Sequence, residues 1–176
     1  MPGDALTAPT SGMFGKLPAH GDFIRRGDAA VIARLDGWLS AELARIAAAD
    51  PHALDDRLAT LPCWRWIAAL DLGVLSGAIG PSHDRVGRCY PLILFTTTPV
   101  SDAWFDAADA AIMADSGSAA DALLAALPMD PPPAPAPFGW WRFVADRRID
   151  GPDAALPAGA MFDALWDVDS DAEARA

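Results

Sequence analysis

At 176 residues, with 52% hydrophobic residues and seven tryptophans, the chain has the size and composition of one globular domain rather than of a disordered segment. Its net charge of −11 is uneven: residues 1–100 hold 9 Lys+Arg against 10 Asp+Glu, while residues 101–176 hold 4 against 14. That surplus of acid argues against nucleic acid or an anionic membrane as partner, and no stretch approaches the roughly 20 uninterrupted apolar residues of a membrane span.

The N-terminus, MPGDALTAPTSG, has neither the basic nor the apolar region of an export signal. A cytoplasmic protein is therefore expected, with a flexible arm over residues 1–12, one domain over 13–167 and a flexible acidic tail over 168–176. "MFGKL" (13–17) predicts a short strand ended by Pro18. Asp28 is a fitting N-cap for a helix to about Ala49, in which Val31, Leu35, Trp38, Leu39, Leu43 and Ile46 repeat at the spacing of one buried face. Asp50–Pro51 stops it, and a short helix is expected over 53–60.

Residues 64 to 96 read as three strands: "WRWIAALD", "GVLSGAIG" and the continuous run "CYPLILFTTT". The link at Asp71–Gly73 is short enough for a hairpin, so the first two should be antiparallel. The third, apolar on both faces, should lie inside the sheet. From Ser101 the pattern turns helical, with Trp104, Phe105, Ala108 and Ile112 on one side, a break at Ser116–Gly117 and a resumption over 119–127. A proline-rich connector (128–139), a strand at "WWRFVAD" and a last short helix at "MFDALWD" complete an α/β domain, a largely antiparallel sheet flanked by helices.

"GPSHDRVGRCYPL" (80–92) is the chemically richest stretch. A Ser-His-Asp relay needs three groups in a hydrogen-bonded line, whereas neighbours in an extended segment point to opposite sides; there is also no G-x-S-x-G elbow. His20 is a histidine that could approach Ser82. A phosphate site could use the Gly80 and Gly87 amides with Arg85 and Arg88, yet no helix follows to lend its dipole. An architectural reading is the strongest: Asp84 caps amides or pairs with an arginine, and Gly87 takes a backbone conformation closed to other residues. Cys63 and Cys89, 26 positions apart, suit buried apolar roles better than a zinc site or a disulfide. Lys16, the only lysine in an arginine-rich chain, carries more weight than any single arginine.

Two segments together, "FGKLPAHGDFIRRG" (14–27) and "PSHDRVGRCYPL" (81–92), resemble the TagF family, accessory proteins of bacterial type VI secretion. Gly15, Lys16, Leu17, Pro18, Gly21, Asp22, Phe23, Ile24 and Arg26 look like its opening block. Pro81, Ser82, Asp84, Arg85, Val86, Gly87, Arg88, Tyr90, Pro91 and Leu92 look like its second block; His83 departs from the pattern. Trp38-Leu39, Trp64-Arg65, "GWWRF" and "MFDALWD" extend the similarity over residues 13–167. The resemblance implies an α/β/α sandwich and a non-enzymatic regulator, repressing secretion after translation by binding a forkhead-associated-domain protein. No cofactor, metal, nucleic acid or membrane insertion is expected. The candidate binding residues are Lys16, His20, Asp22, Arg25, Arg26, Ser82, Asp84, Arg85 and Arg88, expected to converge at one end of the sheet. Two readings compete: a small anion-binding or hydrolytic protein using the same loops, and docking on the acidic C-terminal helices.

Overall fold

The computed structural model describes residues 11–114, 117–132, 134 and 137–166. Residues 1–10 of the expected arm (1–12), Ser116 of the expected break at Ser116–Gly117 and the acidic tail over 168–176 lie outside the described residues. Seven strands, β1 (Ser11–Gly15), β2 (Ile24–Arg26), β3 (Trp64–Leu70), β4 (Gly73–Gly80), β5 (Leu92–Thr96), β6 (Gly139–Val144) and β7 (Arg147–Asp150), form one sheet in the order β2-β1-β5-β4-β3-β6-β7. Every pairing is antiparallel. The helices are α1 (Ala29–Ala49), α2 (Pro51–Thr60), α3 (Asp102–Met113), α4 (Ala120–Ala125) and α5 (Ala160–Asp163), the last continuing into a 3-10 turn at Ala164–Trp166. Among the described residues no helix is long and apolar enough to cross a membrane.

The two-residue period of the strands divides the core. Phe14, Trp64, Trp66, Leu75, Ile79, Ile93, Phe95 and Trp140 face one way and bury against the apolar residues of α1, α2 and α5. Met13, Ile67, Ala78, Leu92, Leu94 and Trp141 face the other way, against α3 and α4. The chain is thus the expected α/β/α sandwich. Asp28 caps α1 through hydrogen bonds accepted from the Ala30 and Val31 amides at 2.8 and 3.0 Å. All six residues of the expected stripe on α1 are buried. The β3–β4 hairpin turns at Asp71–Leu72, with its register running from Trp64↔Ile79 to Leu70↔Gly73.

Several boundaries differ, each for a backbone reason. The first strand is β1 at Ser11–Gly15 rather than 13–17, because Gly15, at φ +133°, takes the chain out of the sheet and leaves Lys16 and Leu17 in a loop. The run from Cys89 enters the sheet only at Leu92, since Pro91 has no N–H to give a ladder. Helix α2 begins at Pro51, where a missing N–H costs nothing. Strands β2 and β7, the two sheet edges, were not expected; both are short and polar.

Topology then positions the polar loops. Phe14 pairs with Ile93, and Gly80 with Leu92, so β1 ends, β4 ends and β5 begins on one side of the sheet. The loop after β1 and the loop between β4 and β5 therefore leave the sheet side by side.

Candidate functional site

Asp84 organises both loops. Its side chain is fully buried; Oδ1 accepts from the Val86 and Arg88 amides at 3.1 and 3.0 Å, and Oδ2 accepts from Arg88 Nε at 2.6 Å and faces Lys16 Nζ at 3.2 Å. Burial works to raise its pKa, but the Arg88 amide and guanidinium, the Lys16 ammonium and the Val86 amide overcome that and hold the carboxyl well below the usual carboxylate range. The Asp84 loop closes on itself through Asp84 N to Arg88 O (3.1 Å), Gly87 N to Asp84 O (2.9 Å) and a bridge between His83 and Cys89. Gly87 supplies the φ of +83° that this tight return requires.

The second loop is stitched to the first at four further points. Lys16 Nζ donates to Arg88 O (3.2 Å), and Ser82 Oγ to Lys16 O (2.8 Å). The Arg85 amide donates to His20 O (2.8 Å), and Arg88 Nη2 to Gly21 O (2.9 Å). Phe23 meets Tyr90 edge to face at 4.6 Å, with Lys16 Nζ and the Arg25 guanidinium 5.4 and 5.5 Å from its ring centre. Burial pushes the Tyr90 phenol up to about 12, against the opposing pull of a hydrogen bond with Ser40.

The structure therefore brings Lys16, His20, Ser82, Asp84, Arg85 and Arg88 together. Arg25 and Arg26 turn toward helices, pairing with Asp36 on α1 (3.2 Å) and Asp121 on α4 (2.9 Å). His20 Nε2 accepts from the Ala120 amide of α4 at 3.4 Å. Asp22 is exposed. Arg85 is exposed as well, and among the described residues no carboxylate engages its guanidinium.

This geometry answers the chemical readings of the motif. Ser82 gives its proton to the Lys16 carbonyl and the Asp84 carboxylate is turned to Lys16 and Arg88, so no serine–imidazole–carboxylate line forms. The Val86, Gly87 and Arg88 amides that could cradle a phosphate are already donated to Asp84.

Sequence motifs gave no warning of a groove beside this clamp. Leu17 and Pro18 from one loop, Pro81, Ser82, His83 and Cys89 from the other, Ala59 of α2 and the Ala111–Met113 end of α3 line about 260 Å³. They come from four separate segments and share no spacing, which is why pattern reading passes over them. A second unannounced cluster lies under α3, where buried Arg65 engages Asp109 (2.7 Å) and Asp106 (2.8 Å). There the Cys63 thiol donates to Asp109 at 3.1 Å, and burial, then Asp109, pushes its pKa well up, so it is no nucleophile. Both cysteines are free and half-buried, less enclosed than expected.

A family model described as TagF N-terminal domain, type VI secretion system-associated, matches residues 12–131. The chain belongs to the TagF family. The matched residues contain both loops and end before β6, so "GWWRF" and "MFDALWD" lie past them, although β6 pairs with β3 inside the same sheet. A crystal structure of PA0076 from Pseudomonas aeruginosa PAO1 is similar in fold, with a TM-score of 0.59 and 24% sequence identity over 89% of this chain and 76% of that one. No curated protein matches this TagF chain.

Proposed function

We propose that this TagF-family chain is a regulator that works by binding and catalyses nothing. It represses type VI secretion after translation, in the cytoplasm, by engaging a forkhead-associated-domain protein of the apparatus. Family membership supplies the secretion context. The observation that carries the binding reading is the Asp84 clamp: it consumes the polar groups of both loops in holding a surface, and leaves Arg85 pointing outward from a fixed backbone. Preorganised surfaces lose less entropy on association, which suits recognition.

The test is a calorimetric titration of the purified chain against the forkhead-associated-domain protein of the same bacterium. Binding is expected, weakened by Arg85→Glu. Absence of binding up to about 100 μM would remove this partner from the account. Generic esterase and phosphatase substrates, with Ser82→Ala as control, address the competing class. Turnover lost in that variant would make the protein an enzyme.

A further inference from the structure

Arg85 and the groove belong to one surface, and we propose that together they seat an acidic peptide segment of a protein partner. One apolar side chain of that segment enters the groove and a neighbouring carboxylate meets the Arg85 guanidinium. This rests on the binding reading above and gives it a ligand chemistry.

Size favours a side chain over a small molecule. At about 260 Å³ the groove falls below the roughly 300 Å³ at which small-molecule pockets usually begin. Its walls are largely aliphatic, and Met113 at its rim is 63% exposed, a flexible apolar side chain without a full cover among the described residues.

Position links the two features. Pro18 lines the groove, and the same turn, closed by His20 N on Leu17 O at 2.9 Å, carries Gly21. The Arg85 guanidinium lies over Gly21, 3.3 Å from where a Cβ would stand. An apolar anchor and an adjacent carboxylate on one short segment can therefore reach both.

Charge selects the partner. Residues 14–27 and 80–92 hold five Lys+Arg against two Asp+Glu, whereas the remainder holds eight against 22. Within this basic island Lys16, Arg25, Arg26 and Arg88 each have a carboxylate partner. Arg85 has none among the described residues. Within this island an approaching acid is thus steered to one guanidinium, while the net-acidic remainder of the chain disfavours acidic segments.

The experiment pans a random-peptide phage library against the immobilised full chain. Enriched peptides should place an apolar residue close to an Asp or Glu. Arg85→Glu should exchange that acid for a Lys or Arg, and Ala59→Trp or Met113→Glu, at exposed positions on the groove, should abolish enrichment. For one enriched peptide followed by fluorescence polarisation, Arg85→Ala should weaken binding about three- to tenfold and remove most of its salt dependence. The proposal is overturned by enrichment no better than on an Arg85→Glu/Ala59→Trp chain, by selected peptides without acid, or by equal binding to the folded variants. If panning fails while the calorimetric titration succeeds, only this inference falls; if both fail, the binding reading falls with it.

Discussion

Asp84 and Asp163 each tie together distant parts of the chain through cations, but in opposite surroundings. Asp163 on α5 accepts from Arg45 of α1 at 2.8 Å and Arg57 of α2 at 3.1 Å, with 36% of its side chain exposed. Asp84 is fully enclosed, and two of its donors are main-chain amides of its own loop. The arginines on Asp163 can turn to water if the carboxylate is removed, so the loss is small. The Lys16 ammonium, on a side chain only 9% exposed, has no such escape. A buried carboxylate surrounded by amides shapes a loop; an exposed one between arginines only trims the way helices lie.

The sharpest way to break this contrast is Asp84→Asn. The carboxamide keeps the volume but sets an N–H₂ or a weaker oxygen against Lys16 and Arg88, leaving a cation enclosed without its anion. The melting temperature should drop by about 10 °C or more, measured by circular dichroism. The pH dependence sharpens the case. Because the folded pKa is below the ordinary value of about 3.9, Asp84 stabilises the fold at every pH above that value, and the contribution is lost as pH falls through the folded pKa. Urea midpoints of the wild type should therefore fall steeply below about pH 4, and the Asn variant should show a flatter profile.

Lys16→Met comes next in size. It removes one donor, preserves much of the buried stem and leaves Asp84 its guanidinium and two amides. A loss of about 2 kcal/mol in urea unfolding is expected, less than for Asp84→Asn. An equal or greater loss would mean that the ammonium, not the carboxylate, is the centre of the clamp.

Asp163→Asn should cost about 1 kcal/mol or less, since a third-exposed pair is screened by solvent. The hydrogen bond from Arg45 lowers the Asp163 pKa first, against burial, so its contribution has the same sign as that of Asp84 and is also lost in acid. Salt separates the two. About 1 M NaCl should erase most of the Asp163 effect and little of the Asp84 effect. Equal salt sensitivity would show that the Asp84 loop opens to water in solution.

Much of this contrast was legible in the residues. The spacing on α1 identified its buried side, and alternation with a short Asp71–Gly73 link identified the hairpin. Asp84 was readable as a cap or an arginine partner, and Arg88 lies in the same loop; that the second cation is Lys16 depends on two loops meeting across 68 positions of chain. Edge strands β2 and β7 were missed because "IRR" and "RRID" carry no apolar alternation, and polar edges are how sheets discourage further pairing. The β6–β7 turn was hidden for another reason. Ala145 and Asp146 take positive φ, of 47° and 66°, without the glycine that marks such turns. The groove is the extreme case: residues of both motif segments line it, but it is closed by Ala59 and Met113, which belong to no motif.

Arg85→Ala is the smallest expected effect on stability and the most informative about function. Its guanidinium meets no carboxylate among the described residues, while its amide bond to His20 O is made by the backbone and survives substitution. Unfolding should shift by no more than about 0.5 kcal/mol. Arg88→Ala, one turn of loop away, removes the 2.6 Å contact to Asp84 and the bond to Gly21 O, and should destabilise clearly. Two arginines of one motif would then divide, one building the surface and the other presented on it. If Arg85→Ala destabilised the chain as much as Arg88→Ala, Arg85 would be part of the architecture and the outward-facing charge would lose its place in recognition.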